Sequence, residues 1–369
     1  MAVFTSLRCR MGAAALVAAG LLVGCRAGDE LPEGKLYLSN VLNNTVTVLD
    51  ARSGEVLKKL QVGVLPHNFA FSGDRKRLFL TNTGSQSISV IDTETDTVQT
   101  EFLIAPVPDL PAHRQARVGQ GTMSCNSCHH QPRGVLPAGI ARDPGGESFV
   151  VTNLKGPTLT RFEADSLAIA ETVELTYPVQ KLPSNLMYHP SRDELYVLNR
   201  PEFKGAGRLT VMDRRLKVKR HLEVIKQPWG MAVSADGGEL FIASRGTNKV
   251  QVWDTNTWKL LRTLTTGNGP VGIWLSPEGK LYTANYYTSR PSYMSVLDPQ
   301  TGRTLKRIET TADLTMMTFD PSQRFMYLVN CGGNKIQVID LMRDEVVSEM
   351  HGGAFPLDVA FLPKRVSGL

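Results

Sequence analysis

The chain has 369 residues, 42% of them hydrophobic and 21% charged, which is the composition of a folded globular protein and excludes a disordered or fibrous one. Its formal charge of +6 is small and dispersed, and it excludes a nucleic-acid partner recruited by charge. Five cysteines in a chain of this length exclude a disulfide-stapled scaffold.

The N-terminus reads as an export signal. Arg8 and Arg10 precede an apolar run from Gly12 to Gly24, and Cys25 follows. A positive start, a short apolar stretch and a small residue before the cut are the marks of a secretory signal. The run is too short for a spanning helix, which needs roughly 20 apolar residues. Leu22-Val23-Gly24-Cys25 is similar to the bacterial lipobox, in which the cysteine becomes the lipidated N-terminus. The expectation is a signal peptide over residues 1–24 and a lipidated linker over 25–34. The exported protein would then be held to a membrane through Cys25, on the periplasmic or cell-surface side.

From residue 35 onward one unit recurs. Its first element reads LYLSN (36–40), LFLTN (78–82), FVVTN (149–153), LYVLN (195–199), LFIAS (240–244), LYTAN (281–285) and MYLVN (326–330). The second reads VTVLD, ISVID, LTRFE, LTVMD, VQVWD, MSVLD and IQVID, ending at Asp50, Asp92, Glu163, Asp213, Asp254, Asp298 and Asp340. A third strand-like run follows, such as VLKKLQVG, and then a fourth: HNFAFS, AGIARD, SNLMYH, WGMAVS, VGIWLS, LTMMTF or LDVAFL. Four short strands per unit, joined by Asn, Gly and Pro turns, describe a propeller blade. The prediction is an all-β, seven-bladed β-propeller over residues 35–363. Its C-terminal strand (LDVAFLP, 357–363) completes the blade that Leu36 begins and removes a sheet edge. The acids closing the second element recur in every blade and read as structural. The paired pattern resembles the YVTN family of bacterial propeller repeats. That resemblance implies the fold and leaves the function open.

Successive units start 42, 71, 46, 45, 41 and 45 residues apart. The long interval holds an insert over 104–137, between an outer strand near Val98–Leu103 and an inner strand near Gly139–Arg142. Within it lies SCNSCHHQPRG (124–134). A zinc site would need four ligands, and His129 follows Cys128 too closely to close a good tetrahedron. A redox dithiol needs no histidine. In Cys125-x-x-Cys128-His129 the two thiols bond covalently to the haem vinyls and the histidine binds the iron. One covalent c-type haem is therefore expected, with His129 as proximal ligand. Residues 117–134 also resemble the haem-binding segment of di-haem cytochrome c peroxidases. Those enzymes carry two such motifs, and this chain carries one in an insert too short for a cytochrome domain, so the propeller face must shelter the haem.

The sixth iron ligand decides the chemistry. The candidates are His67, which begins HNFAFS at the channel mouth, and His113 and Met123 within the insert. The counterparts of His67 in the other blades are read as Ala138, Ser184, Trp229, Val271, Leu314 and Leu357. Met231 and Met316 align with Phe69 and read as packing residues. Arg200 and Arg245 follow the first element of their units on the same face and are candidate propionate contacts. Cys331, also on that face, reads as a small buried residue. In RRLKVKRH (214–221) the alternation predicts a solvated outer strand with Leu216 and Val218 turned inward. The function expected is electron transfer with a redox protein partner. A partner-binding scaffold with a structural or sensory haem is the second reading and a peroxidase-type enzyme the third.

Overall fold

The computed structural model describes residues 30–104, 135–175, 181–201, 205–286, 292–311 and 313–364. Every regular element among them is a β-strand, and the 28 strands form seven antiparallel sheets of four. Blade 2 shows the plan. Its inner strand Pro66–Phe71 pairs with Arg77–Asn82, that strand with Ser87–Asp92, and that with the outer strand Thr97–Leu103. Blades 3 to 7 repeat this order, opening on the inner strands Pro137–Arg142, Lys181–Tyr188, Pro228–Val233, Pro270–Leu275 and Leu314–Phe319. Blade 1 starts on its second strand, Gly34–Asn40, and takes its inner strand, Pro356–Pro363, from the C-terminus. Leu36 faces Phe361 and Leu38 faces Val359 across that closure. Each inner strand also touches the inner strands of the two neighbouring blades, right around the circle. The fold is a seven-bladed β-propeller.

The burial pattern explains the repeat. Second and third strands are covered by a neighbouring blade on each face, so they are apolar on both faces; Leu36, Tyr37 and Leu38 are all fully buried. One position places Tyr37, Phe79, Phe149, Tyr196, Phe241, Tyr282 and Tyr327 between blades, every ring out of solvent. Three of the tyrosines reach a neighbouring blade with their hydroxyls: Tyr37 donates to Asp96, Tyr282 to Asp344 and Tyr327 to the Ala51 carbonyl, and Lys35 and Lys280 pair with the two carboxylates at 2.6 Å. Outer strands face water, and Val56–Gln61 buries only Leu60.

The asparagines of the first repeat element pin the second strand to the third. The side-chain amides of Asn40, Asn82, Asn153 and Asn199 donate to Thr47, Ser89, Thr160 and Thr210 at 2.8–3.0 Å. The recurring aspartates are structural, as expected. The Oδ1 atoms of Asp50, Asp92, Asp254 and Asp298 each accept the backbone N–H groups two and three residues on. These bonds hold all four carboxyls below their ordinary range.

Two sequence expectations need correction. Leu216 is buried, but Val218 opens the outer strand Val218–Lys226 and faces solvent. An outer strand has a neighbour on one edge only, so alternation there does not report a core. In blade 7 the inner strand sits one residue away from the register that the repeat predicts. Six inner strands set a proline opposite the Asn or Ser of the second strand (Pro66, Pro137, Pro183, Pro228, Pro270, Pro356), and Leu314 takes that place opposite Asn330. The strand then slips before Met317 pairs with Leu328, as Phe69 pairs with Leu80. Thr315 is thus the counterpart of His67, and Met317 that of Phe69. Met231 packs as expected; Met316 does not.

Candidate functional site

Two concentric rings of side chains form one mouth of the propeller. Residues that follow the Asn or Ser of the second-strand motif make up the first: Val41, Thr83, Leu154, Arg200, Arg245, Tyr286 and Cys331. The second ring, from the start of the inner strands, is Leu357, His67, Ala138, Ser184, Trp229, Val271 and Thr315. A shared backbone device sets this rim. Leu65, Leu136, Gln227, Asp313 and Phe355 adopt the left-handed conformation before their inner strands. Their carbonyls accept the N–H of Thr83, Leu154, Arg245, Cys331 and Val41 at 3.0–3.2 Å. Apolar members of both rings, including Val41, Val271, Tyr286, Cys331 and Leu357, pack into one cluster with Trp229 at its edge.

The 104–137 insert springs from this rim. Gln86, in the loop between the second and third strands of blade 2, holds both of its roots. Its carbonyl accepts the N–H of Ile104 (3.0 Å) and its side-chain Oε1 accepts the N–H of Val135 (3.0 Å). Sequence reasoning passed over Gln86 because a lone glutamine in a polar loop carries no signal. Cys125, Cys128, His129, His113 and Met123, like Cys25 at the N-terminus, lie outside the described residues.

His67 stands at the mouth, 8% exposed, on the wall of a cavity of about 190 Å³ shared with Asn185, Arg200, Trp229 and Met316. Burial, helped by the nearby Arg200 charge and opposed by a hydrogen bond to Asn68, pushes its imidazolium pKa down to about 4. The ring is therefore neutral at physiological pH, the form in which histidine ligates metals. Arg200 and Arg245 are both buried, and their guanidinium groups lie 4.4 and 5.1 Å from the centroid of Trp229. Arg245 also lies 4.3 Å from the Tyr286 ring, in cation–π range. Asp313 sits nearby, its pKa raised by burial and partly lowered again by Arg245. The structure thus brings His67, Arg200 and Arg245 to one face and adds Trp229, Tyr286 and Met316. Met316, which the repeat alignment predicts as a packing residue, instead contributes to the cavity wall. Cys331 is buried, and its thiol donates to the Asp313 carbonyl at 3.1 Å, a structural part. Among the described residues no three His, Cys, Asp or Glu side chains group to hold a metal ion.

No protein-family profile matches the chain. Antigen Lp49 of Leptospira interrogans is 26% identical over 247 residues, covering 59% of this chain and 51% of Lp49. The seven-bladed beta-propeller protein Rv1057 of Mycobacterium tuberculosis is 26% identical over 114 residues, covering 30% of this chain and 29% of that protein. The chain thus spans about half or less of the length of the curated relatives it matches. Among solved structures, the dihydro-heme d1 dehydrogenase NirN superposes with a TM-score of 0.61 at 16% identity, covering 91% of this chain and 68% of that one. The name of Rv1057 and the superposition on NirN both agree with the seven-bladed propeller fold.

Proposed function

We propose that the protein is an exported, lipid-anchored propeller that covalently carries one c-type haem and passes electrons to a redox protein partner. The observation that carries this reading is Cys125-x-x-Cys128-His129, in a segment whose two roots are clamped by Gln86 on the face that also carries His67, Arg200 and Arg245. The residues of the mouth suit such a group. His67, with a neutral imidazole, would be a strong donor to the iron and Met316 a softer one, and Trp229 with the apolar cluster would keep the group away from water. Arg200 and Arg245 are of the right sign for propionates. When bound, a haem with two strong-field ligands supplies one-electron transfer. The chain's part is to exclude water with the Trp229 cluster, to position His67 and to balance the carboxylates. NirN is named for a haem ligand, and its likeness to this chain is in fold, so it supports the scaffold and not the chemistry.

Protein matured in a host with haem c machinery is expected to show one haem per chain by pyridine haemochrome. Its reduced spectrum should not change with CO. Absence of haem, or bound zinc in its place, overturns the reading, and a spectrum shifted by CO replaces the electron carrier with an open-site sensor or peroxidase. Labelling with an alkyne palmitate, lost in Cys25→Ala, checks the anchor.

A further inference from the structure

His67, Asn68 and Asp358 form a hydrogen-bonded line across the seam where the ring closes. His67 and Asn68 belong to the inner strand of blade 2, and Asp358 to the C-terminal strand that completes blade 1. The Nδ2 of Asn68 donates to Asp358 Oδ2 at 3.0 Å. The Phe69 N–H donates to the same oxygen at 3.0 Å, and the Val359 N–H to Oδ1 at 2.8 Å. Ser39 Oγ accepts the Asp358 N–H at 3.0 Å and donates to the His67 carbonyl at 3.2 Å, so both ends of the line share one support. A carboxylate that collects three donors fixes which way the Asn68 amide faces. The opposite flip would set the amide oxygen against the Asp358 carboxylate, acceptor against acceptor. The Asn68 oxygen therefore faces His67, where it lies 2.7 Å from Nδ1. An oxygen acceptor at that distance demands a protonated Nδ1, and in a neutral ring the lone pair then resides on Nε2.

We infer that Asn68 and Asp358 are positioning residues that hold His67 in the Nδ1–H tautomer, so that the imidazole presents Nε2 as a ready donor to a metal centre at the mouth. The metal centre is the iron of the proposed haem, and in that respect the inference rests on the reading above. The arrangement is an outer-shell hydrogen bond of the kind that orients ligating histidines and raises their basicity. It also joins the site to the ring closure, because Asp358 reaches Asn68 only when the C-terminal strand is seated in blade 1.

The tautomer is measured without haem. Long-range ¹H–¹⁵N correlation spectra of ¹⁵N-histidine-labelled protein distinguish a protonated Nδ1 from a protonated Nε2, and His67→Gln assigns the signal. Wild type at neutral pH is expected to show Nδ1–H for His67. Asp358→Ala and Asn68→Ala are expected to shift the ring toward the Nε2–H form, while Asp358→Asn, which keeps an acceptor for Asn68 and Phe69, retains Nδ1–H. An Nε2–H wild type overturns the inference whether or not the variants fold. A tautomer unmoved in Asn68→Ala overturns the role given to Asn68, and one unmoved in Asp358→Ala overturns that of Asp358. A protein that fails the haemochrome assay yet shows Nδ1–H separates failure of the haem reading from failure of this one.

Discussion

Asp358 is a buried carboxylate whose environment works against its charge. Burial raises its pKa to about 6, and the bonds from Asn68, Phe69 and Val359 offset part of that rise. In the unfolded chain the group returns to its ordinary value of 3.8. Between those two values the native state binds the proton and the unfolded state does not, so this residue's contribution to stability falls as pH rises from about 4 to 6. The turn aspartates act in the opposite direction. Asp50 and Asp92 are held below 3.8, and their contribution is full above that value and is lost as pH falls through the native pKa. Subtracting the unfolding free energy of Asp358→Asn from that of wild type isolates the buried group. Urea titrations at pH 4.5 and 7.0 are expected to give a difference that moves against wild type at the higher pH, by up to a few kcal/mol. A difference independent of pH would show that Asp358 titrates normally.

The blade is held together by its asparagine as much as by its apolar faces. Asn82 Nδ2 donates to both Ser87 (3.1 Å) and Ser89 (2.8 Å) on the third strand, in a place without solvent. Asn82→Ala is expected to cost about 1–3 kcal/mol, since two buried hydroxyls lose a donor. Equilibrium urea denaturation with an unchanged slope would show that loss as lower stability and not as an altered fold. Blade 5 has Ser244 in this place, where the hydroxyl turns back to the Lys226 carbonyl, and Gln251 on its third strand accepts the Ile225 N–H instead. The exchange was visible in the sequence as LFIAS and VQVWD, but its meaning was not. Which donor serves which strand depends on register, and the inner strands pass through a register slip after the residue that faces the Asn or Ser of the second strand. The same slip hid Met316, because blade 7 lacks the proline that marks the pair before the slip in the other six.

At the scale of the whole molecule, closure depends on one strand. Pro356–Pro363 supplies the inner strand of blade 1, touches the inner strands of blades 2 and 7, and carries Asp358 to Asn68. Removing residues 356–369 would leave the edge of Gly34–Asn40 unpaired and Leu36 and Tyr37 uncovered. The truncated protein is expected to lose its single cooperative melt and to associate through the bare edge. Thermal unfolding followed by circular dichroism, with size-exclusion chromatography, checks both outcomes. A monomer with the full-length melt would show that the ring does not depend on this closure.

The amino-acid order by itself determined the architecture, because it is repetitive. Seven copies of an apolar run, six of them ending in Asn and six followed by a run ending in Asp, specify seven blades, and blades 1, 2, 5 and 6 carry their own turn chemistry in the aspartate Oδ1 bonds. It also supplied a local chemical proposal, since the residues of Cys125-x-x-Cys128-His129 are adjacent and need no fold to be read together. It named His67, Arg200 and Arg245 singly, from their places in the repeat. Only the tertiary structure decided what they meet: Trp229 between two arginines, Met316 on the wall beside His67, Gln86 at both roots of the insert, and Asp358 in line with Asn68. Those pairs lie on different strands, and Asp358 is 290 residues from Asn68. A periodic pattern tells each strand which face to bury, but it does not tell two blades which of their rim residues will face one another. That choice depends on the left-handed entries, the register slips and the closure of the ring.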